Sequence, residues 1–311
     1  MFSRFLMAAA AVGVAIIFNR RYQNHRLART IRSRKPIEIA PGVHWYAAGA
    51  VAGNIYFVQS ASSWVLIDTA TVGQGRRIQE AAETLFGVGA RPAAILLTHV
   101  HPDHAGSALE LARAWDCVVY LHPDELELAI TRNLATVARY ANPLDRWLIL
   151  PLLRLFPRRW IEAMMEKESL KEVVRTFKPE AAPPGLPEWT SIITPGHSPG
   201  HTAFFRCNDR VLIAGDALLT VDAGSLGGVL SWVLRSNKPR VCEPPWYTNW
   251  NHNEAMDTAC AVVRLQPQVL ATGHGRPLSG AAAAAALRAF AHRHGLKLVN
   301  AKCRDHGCAR L

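Results

Sequence analysis

The chain is poor in cysteine and has no cysteine cluster. Its six, Cys117, Cys207, Cys242, Cys260, Cys303 and Cys308, are scattered over 311 residues. That scatter points to no thiolate metal scaffold, and nothing in it demands an oxidising compartment. Cys303 and Cys308 flank His306 in what reads as a frayed tail, with a disulfide or an adventitious metal site as the alternatives. No Ser-His-Asp or Cys-His arrangement has local support, and no Gly-x-Ser-x-Gly nucleophile elbow is expected. Acidic residues are missing from positions 1–37, which hold eight basic ones: Arg4, Arg20, Arg21, Arg26, Arg29, Arg32, Arg34 and Lys35. Setting these aside leaves 27 basic against 24 acidic residues, so eight of the eleven formal positive charges belong to the N-terminus. A polynucleotide substrate would favour a basic cleft, and this count gives it no support; no nucleic-acid partner is expected. A long hydrophobic run is lacking too. Residues 5–18 form an apolar stretch of only 14 residues. As a helix it would span about 21 Å, against about 30 Å of hydrocarbon core.

What is present is enough for a large core. Half of the residues are hydrophobic, which excludes a disordered chain and fits one α/β domain. The densest chemistry sits at Thr98-His99-Val100-His101-Pro102-Asp103-His104. The preceding run Ala93–Leu97 is short and apolar and reads as a buried strand, and Ala105 to Trp115 reads as a helix. The cluster therefore lies at the carboxyl end of a strand, where open α/β sheets place their sites. Side chains two apart in a strand point the same way, so His99 and His101 can reach one metal. Pro102 turns the backbone, and Asp103 with His104 can face a second point. Packed together without a cation, four such groups would lose hydration and gain no partner. The donor set is nitrogen and oxygen, which suits Zn, Fe or Mn.

Three later stretches each run from a short apolar segment through a Gly turn to a potential ligand. They are Gly196-His197-Ser198-Pro199-Gly200-His201 after Ile192-Ile193, Asp216 after Leu212–Gly215, and His274 between Gly273 and Gly275 after Val269–Thr272. Alone, each is weak; in this order behind the first cluster they are strong.

With these motifs the chain resembles the metallo-β-lactamase superfamily, in the branch that includes glyoxalase II and the lactonases. Asn54–Val58 and Val65–Thr69 look like that family's opening strands, and the resemblance runs from about residue 41 to residue 280. It implies an α/β fold, a four-layer αβ/βα sandwich with a helical insertion and metals in a cleft at one edge. It also implies that His99, His101 and His197 hold a first divalent cation, that Asp103, His104 and His274 hold a second, and that Asp216 bridges them. His201 is then left beside the ligands or toward the substrate. The implied cofactors are two divalent ions, with zinc the first choice and iron or manganese the others. The implied chemistry is hydrolysis of an ester, thioester or lactone in a small-molecule substrate by a hydroxide shared between the metals, with Asp103 and Asp216 handling its proton. The alternatives within this resemblance are a mononuclear-iron persulfide dioxygenase, a phosphodiesterase or ribonuclease, and a β-lactamase. A membrane-tethered scaffold without activity would fit a broken ligand set better than this intact one.

The remaining expectations concern the rest of the chain. Residues 1–37 read as an apolar segment and basic linker, and 38–311 as the catalytic domain. The stretch 5–18 reads as a short membrane anchor with the basic side, and hence the catalytic domain, cytoplasmic. Its alternatives are a cleaved export signal and an organellar transit peptide. Asp68 closes a strand, either as a turn former or as a support beneath the metal loop. Helices are expected over 74–86, 254–265 and 281–291. The insertion, about 124–182, reads as three helices over 124–140, 144–156 and 158–177, serving as a lid over the cleft. Tyr247 is a candidate substrate donor in an aromatic loop.

Overall fold

The computed structural model describes residues 35–48, 53–61, 63–233 and 240–298. The proposed anchor at 5–18 and the cysteines at 303 and 308 lie outside the described residues. Two sheets carry the fold. The first runs in the order β1 (Ile37–Ala40), β2 (Val43–Ala47), β3 (Asn54–Ser60), β4 (Ser63–Ile67), β5 (Ala94–Leu96), β6 (Val119–Leu121), β7 (Val174–Thr176). The second runs β12 (Leu278–Ser279), β11 (Val269–Thr272), β10 (Val211–Gly215), β9 (Thr202–Arg206), β8 (Trp189–Ile193). Strands β1 to β4 pair antiparallel, and β4 to β7 pair parallel. In the second sheet only β10 and β11 are parallel.

Both faces of each sheet are buried, and the alternation of side chains shows how. In the first sheet Tyr56, Val58, Val65, Ile67 and Leu96 point inward and meet Phe204, Ile213 and Ala271 of the second sheet in one cluster. Their neighbours Ile55, Phe57, Leu66 and Ile95 point the other way. There they pack against α1 (Gly75–Phe86) and α3 (Ala108–Trp115) through Ile78, Ala82, Leu111 and Trp115. Leu212, Ala214 and Leu270 pack outward against α9 (His252–Arg264) and α10 (Gly280–Arg293) through Val262, Val263, Leu287 and Phe290. The result is the expected helix–sheet–sheet–helix stack. It explains why the core strands read as continuous apolar runs rather than alternating ones.

The insertion departs from its expected three helices. After a turn at Pro123–Glu125 come α4 (Leu126–Ile130) and α5 (Leu134–Arg139), separated where the Asn133 side chain accepts from the Thr136 amide at 2.9 Å and caps the second helix. Asp145–Ile149 forms a π-helical turn leading into α6 (Leu150–Leu153). Pro151 has no N–H to give back to the preceding turn, and the helix widens just ahead of it. The third helix, α7 (Arg158–Glu166), stops well short of the expected residue 177. Val174–Thr176 instead extends the first sheet beside β6, with Val119 opposite Val174. At the insertion's root Leu150 and Ile161 are buried, while Trp147, Leu155, Phe156 and Trp160 stand in solvent. Among the described residues no helix is long and apolar enough to cross a membrane.

Phe204 is fully buried between the sheets. Phe204→Ala should cost about 3–5 kcal/mol of unfolding free energy, read as a lower urea midpoint with an unchanged m-value. A loss of under about 1 kcal/mol would mean that the inter-sheet layer is not the packing unit described.

Candidate metal centre

Every proposed ligand leaves the carboxyl end of a strand or the loop beyond it. Strand β5 ends at Leu96, and the following loop delivers His99 and His101. Pro102 then opens the one-turn helix α2 (Pro102–Ala105), at the first position, where a missing N–H costs nothing. That turn swings Asp103 and His104 to the other side of the cleft. The parallel pair β10 and β11 aligns Gly215 with Thr272, so Asp216 and His274 emerge side by side. His197 comes from the β8–β9 connection.

Three groups of ligand atoms converge: His99, His101 and His197; His99, His104 and Asp216; and Asp103, His104 and His274. Within the first, His101 Nδ1 lies 3.1 Å from His99 Nε2 and 3.0 Å from His197 Nε2. Within the third, His274 Nε2 lies 3.2 Å from Asp103 Oδ2 and 3.4 Å from His104 Nε2. Asp216 Oδ2 stands between the two, 3.4 Å from His197 Nε2 and 3.4 Å from His274 Nε2. Gly273 permits this closeness: a Cβ there would run into the Asp216 carboxylate and the His104 ring.

The outer contacts fix which way the rings face. Asp68 Oδ2 takes His104 Nδ1 at 2.8 Å and the Thr98 hydroxyl at 2.8 Å, while Oδ1 takes the Thr98 amide at 2.8 Å. Thr98 Oγ1 in turn meets His99 Nδ1 at 3.0 Å, and Asn249 Oδ1 meets His197 Nδ1 at 3.1 Å. With their Nδ1 atoms so engaged, His99, His104 and His197 each turn Nε2 inward; on neutral His99 and His197 that atom is a bare lone pair, and on His104, which Asp216, Asp68 and Asp103 hold in the charged form against its burial, it becomes one on loss of a proton. A single Nδ1–H on His101 can serve only one of its two neighbours. Asp216 Oδ1 is buried with no hydrogen-bond donor. Converging lone pairs and an orphaned carboxylate oxygen are the arrangement a divalent cation satisfies, so the residues fit the metals that the sequence pattern implies.

The electrostatics agree. Burial pushes the His101 imidazole down to about 3, with His197 beside it adding to the shift. Burial opposes the charged form of His274 as well, but Asp216 and Asp103 outweigh it and carry that imidazole up to about 9. Asp216 stays ionised well below the usual carboxylate range, because the His274 and His104 charges overcome its burial.

The other expected residues sort as follows. His201 is fully buried: its Nε2 accepts the Asp216 amide at 2.9 Å and its Nδ1 meets Thr194 Oγ1 at 2.7 Å. One nitrogen holds the Asp216 backbone and the other is anchored on Thr194, so neither is left for a metal or the open cleft. The Tyr247 hydroxyl donates to the Ala223 carbonyl at 2.8 Å and ties two loops together. Asp68 is both things expected of it, with a left-handed backbone (φ 60°) and a carboxylate under the metal loop. The letters Gly-x-Ser-x-Gly do stand at 196–200, against the expectation of none. They lie between two antiparallel strands, with Ser198 buried, and not on a strand-to-helix turn, so no nucleophile elbow forms.

Glu125 was not foreseen. It is buried at the root of the insertion, where Oε2 takes the Val100 amide at 3.0 Å and Oε1 the Gly200 amide at 2.9 Å. It thereby clips the His99–His101 loop to the His197–His201 loop. Its partners are backbone amides, which leave no mark in a sequence.

A model of the metallo-beta-lactamase superfamily matches residues 48–274. The chain belongs to this superfamily. A probable metallo-hydrolase of Bacillus subtilis, YflN, is 35% identical over 254 residues, covering 81% of this chain and 90% of its own. Among solved structures, the family protein TTHA1429 of Thermus thermophilus aligns with a TM-score of 0.52 at 21% identity, over 83% of this chain and 81% of its own. AidC, a dizinc quorum-quenching lactonase, aligns with a TM-score of 0.51 at 13% identity, over 74% of this chain and 72% of its own. The chain is thus a metallo-hydrolase of this superfamily, with His and Asp clusters suited to holding divalent metal.

Two outcomes are expected of this centre. Asp68→Ala frees the His104 and Thr98 contacts and should weaken metal binding by about 10–100-fold, measured by competition against a chromophoric chelator; unchanged affinity would remove Asp68 from the support. His274 must lose a proton to bind metal, and in the metal-free protein it holds that proton up to about pH 9. Metal affinity should therefore climb as pH rises from neutrality toward 9, and the raised His104 imidazole works in the same direction. A flat profile over that range would contradict the His274 assignment.

Proposed function

We propose that the centre holds two divalent cations, zinc by first choice, and hydrolyses an ester, thioester or lactone of a small molecule. The observation that carries the reading is Asp216 Oδ2, equidistant at 3.4 Å from a histidine of each triad, which is the place of a shared carboxylate. That AidC holds two zinc ions and acts as a lactonase on this fold supports the choice of metal and of bond class.

His99, His101 and His197 would hold one cation, Asp103, His104 and His274 the other, with Asp216 common to both. When bound, such a pair supplies a water acidified toward a pKa of about 7 and a Lewis acid for the carbonyl oxygen. The protein's residues do the rest. Asp68, Thr98 and Asn249 keep the imidazole lone pairs aimed inward while substrate comes and goes. Asp216, gripped at its amide by His201, keeps the two triads in register. Asp103 is the most open of the carboxylates in the centre, with a side chain 35% exposed. It faces the cleft and relays a proton from the attacking water to the leaving oxygen or sulfur. The apolar root of the insertion shields the substrate's acyl part from water. The catalytic domain works at the cytoplasmic side of a membrane to which residues 5–18 tether it.

Elemental analysis of the purified protein should give close to two zinc, manganese or mixed zinc and iron per chain. Asp216→Ala should lose metal and hydrolysis of a thioester and lactone panel together, by about three orders of magnitude in kcat/KM. A fully metallated, active Asp216→Ala protein would end the shared-carboxylate role. One iron per chain, no second metal and persulfide oxidation would replace hydrolysis with oxygen chemistry.

A further inference from the structure

The insertion carries an exposed surface that the hydrolytic site does not use. From Arg146 to Ile161 the sequence reads Arg-Trp-Leu-Ile-Leu-Pro-Leu-Leu-Arg-Leu-Phe-Pro-Arg-Arg-Trp-Ile, with four arginines and no acidic residue. Leu155 is 78% exposed, Trp147 69%, Trp160 63% and Phe156 57%. Every residue from 154 to 160 is exposed, across the join between α6 and α7. Large apolar side chains grouped this way on a soluble surface mark a docking surface. The arginines are interleaved with them. Among the described residues only Arg158 of the four has an ion pair, with Glu162 at 2.9 Å.

We propose that this tip, residues 147–160, docks on an anionic phospholipid surface. The proposal is independent of the hydrolytic reading. Three observations select lipid over a second copy of the chain. Tryptophan, phenylalanine and leucine between arginines form the side-chain set of an interfacial segment: the rings and aliphatic groups enter the headgroup boundary while the guanidiniums reach phosphates. A second copy would instead set four arginines against four. The sequence also repeats the pattern at the other end of the chain, where apolar residues 5–18 are followed by basic residues and no acidic one up to residue 37. One lipidic contact of that kind is weak and reversible; two hold a protein at a membrane. The root of the same insertion holds Glu125, which grips both metal loops. A tip resting on lipid therefore sets the catalytic cleft at a fixed distance from the membrane, where amphiphilic substrates are concentrated.

Hydrogen–deuterium exchange on the full chain reads the tip separately from residues 5–18. With vesicles of phosphatidylcholine and phosphatidylglycerol, peptides spanning 147–160 should exchange about tenfold more slowly or less. Phosphatidylcholine alone should give little protection, and added salt should reverse the effect. Leu155→Asp with Phe156→Asp should abolish protection of 147–160, and so should Arg154→Glu with Arg159→Glu, both pairs keeping the parent's thermal midpoint because all four side chains are exposed. Unchanged exchange at 147–160 in the presence of anionic vesicles would overturn the proposal, even if the chain still sediments with them. Equal protection by phosphatidylcholine alone would overturn the anionic requirement. Protection that appears without vesicles and grows with protein concentration would overturn it in favour of a second copy.

Discussion

Five imidazoles and two carboxylates are drawn into contact in a cleft from which water is largely excluded, and that convergence is the constraint the rest of the molecule serves. His99 and His104 are wholly buried, His197 and His274 nearly so, and His101 is half-buried. Burial opposes charge on each imidazole, while Asp216 and Asp103 favour it, and the two effects split the set. His101 is driven to the neutral form and His274 to the charged one. Left to themselves, such groups would spread apart or take up water. Here Asp68, Thr98, Asn249 and His201 hold them from behind, each by a hydrogen bond to the face turned away from the cleft. A divalent cation resolves the opposition by replacing protons, so metal binding and the protonation of the site are one equilibrium.

The sheets are what make the convergence cheap. Ligand loops leave parallel neighbours at the same end, as with β4 and β5, which present Asp68 and Thr98 together, and β10 and β11, which present Asp216 and His274 together. The inter-sheet layer of Tyr56, Val58, Ile67, Phe204 and Ile213 then fixes one pair against the other. Tyr56 and Asn54 reach across this seam to the Thr272 carbonyl at 2.6 and 2.8 Å, joining the opening hairpin to the His274 loop. Mixed parallel and antiparallel sheets face to face thus bring seven proposed ligands from four loops to one edge.

Much of the site was legible because its ligands come in short runs with local geometry. His99-x-His101 alternates as a strand does, Pro102 turns the chain, and Asp103-His104 follows on the other side. The glycine-flanked positions carry a signal of their own: Gly273 is glycine because the Asp216 carboxylate and the His104 ring fill the space where a Cβ would stand. What escaped reading depends on tertiary contacts. The choice between His197 and His201 needed the three-dimensional partners of each ring. Glu125 escaped because it binds amides. Strand β7 escaped because Val174-Arg175-Thr176 is short, half-exposed and follows a helix-like stretch, so only its pairing with β6 makes it a strand. The N-terminal boundary of the first sheet, Ile37–Ala40, is a similar edge, named by its partner Val43–Ala47 rather than by its own composition.

The insertion joins these themes. A segment that merely decorated the core would touch it through apolar side chains, which this one also does through Ala129, Leu150, Ile161 and Leu170. Glu125 adds a different kind of attachment: one ionisable group, buried, with each oxygen committed to a separate metal loop. Burial pushes that carboxyl up, while the Ser198 hydroxyl and the Gly200 and Val100 amides pull it back toward the charged form. The two amides need an acceptor, and the acceptor needs them, so neither loop can shift without leaving a buried polar group unpaired. The geometry of the His99–His101 and His197–His201 loops is thereby tied to the position of the insertion. The insertion and the two loops that carry His99, His101 and His197 are thus joined through the two oxygens of one side chain, in addition to the apolar contacts at its root.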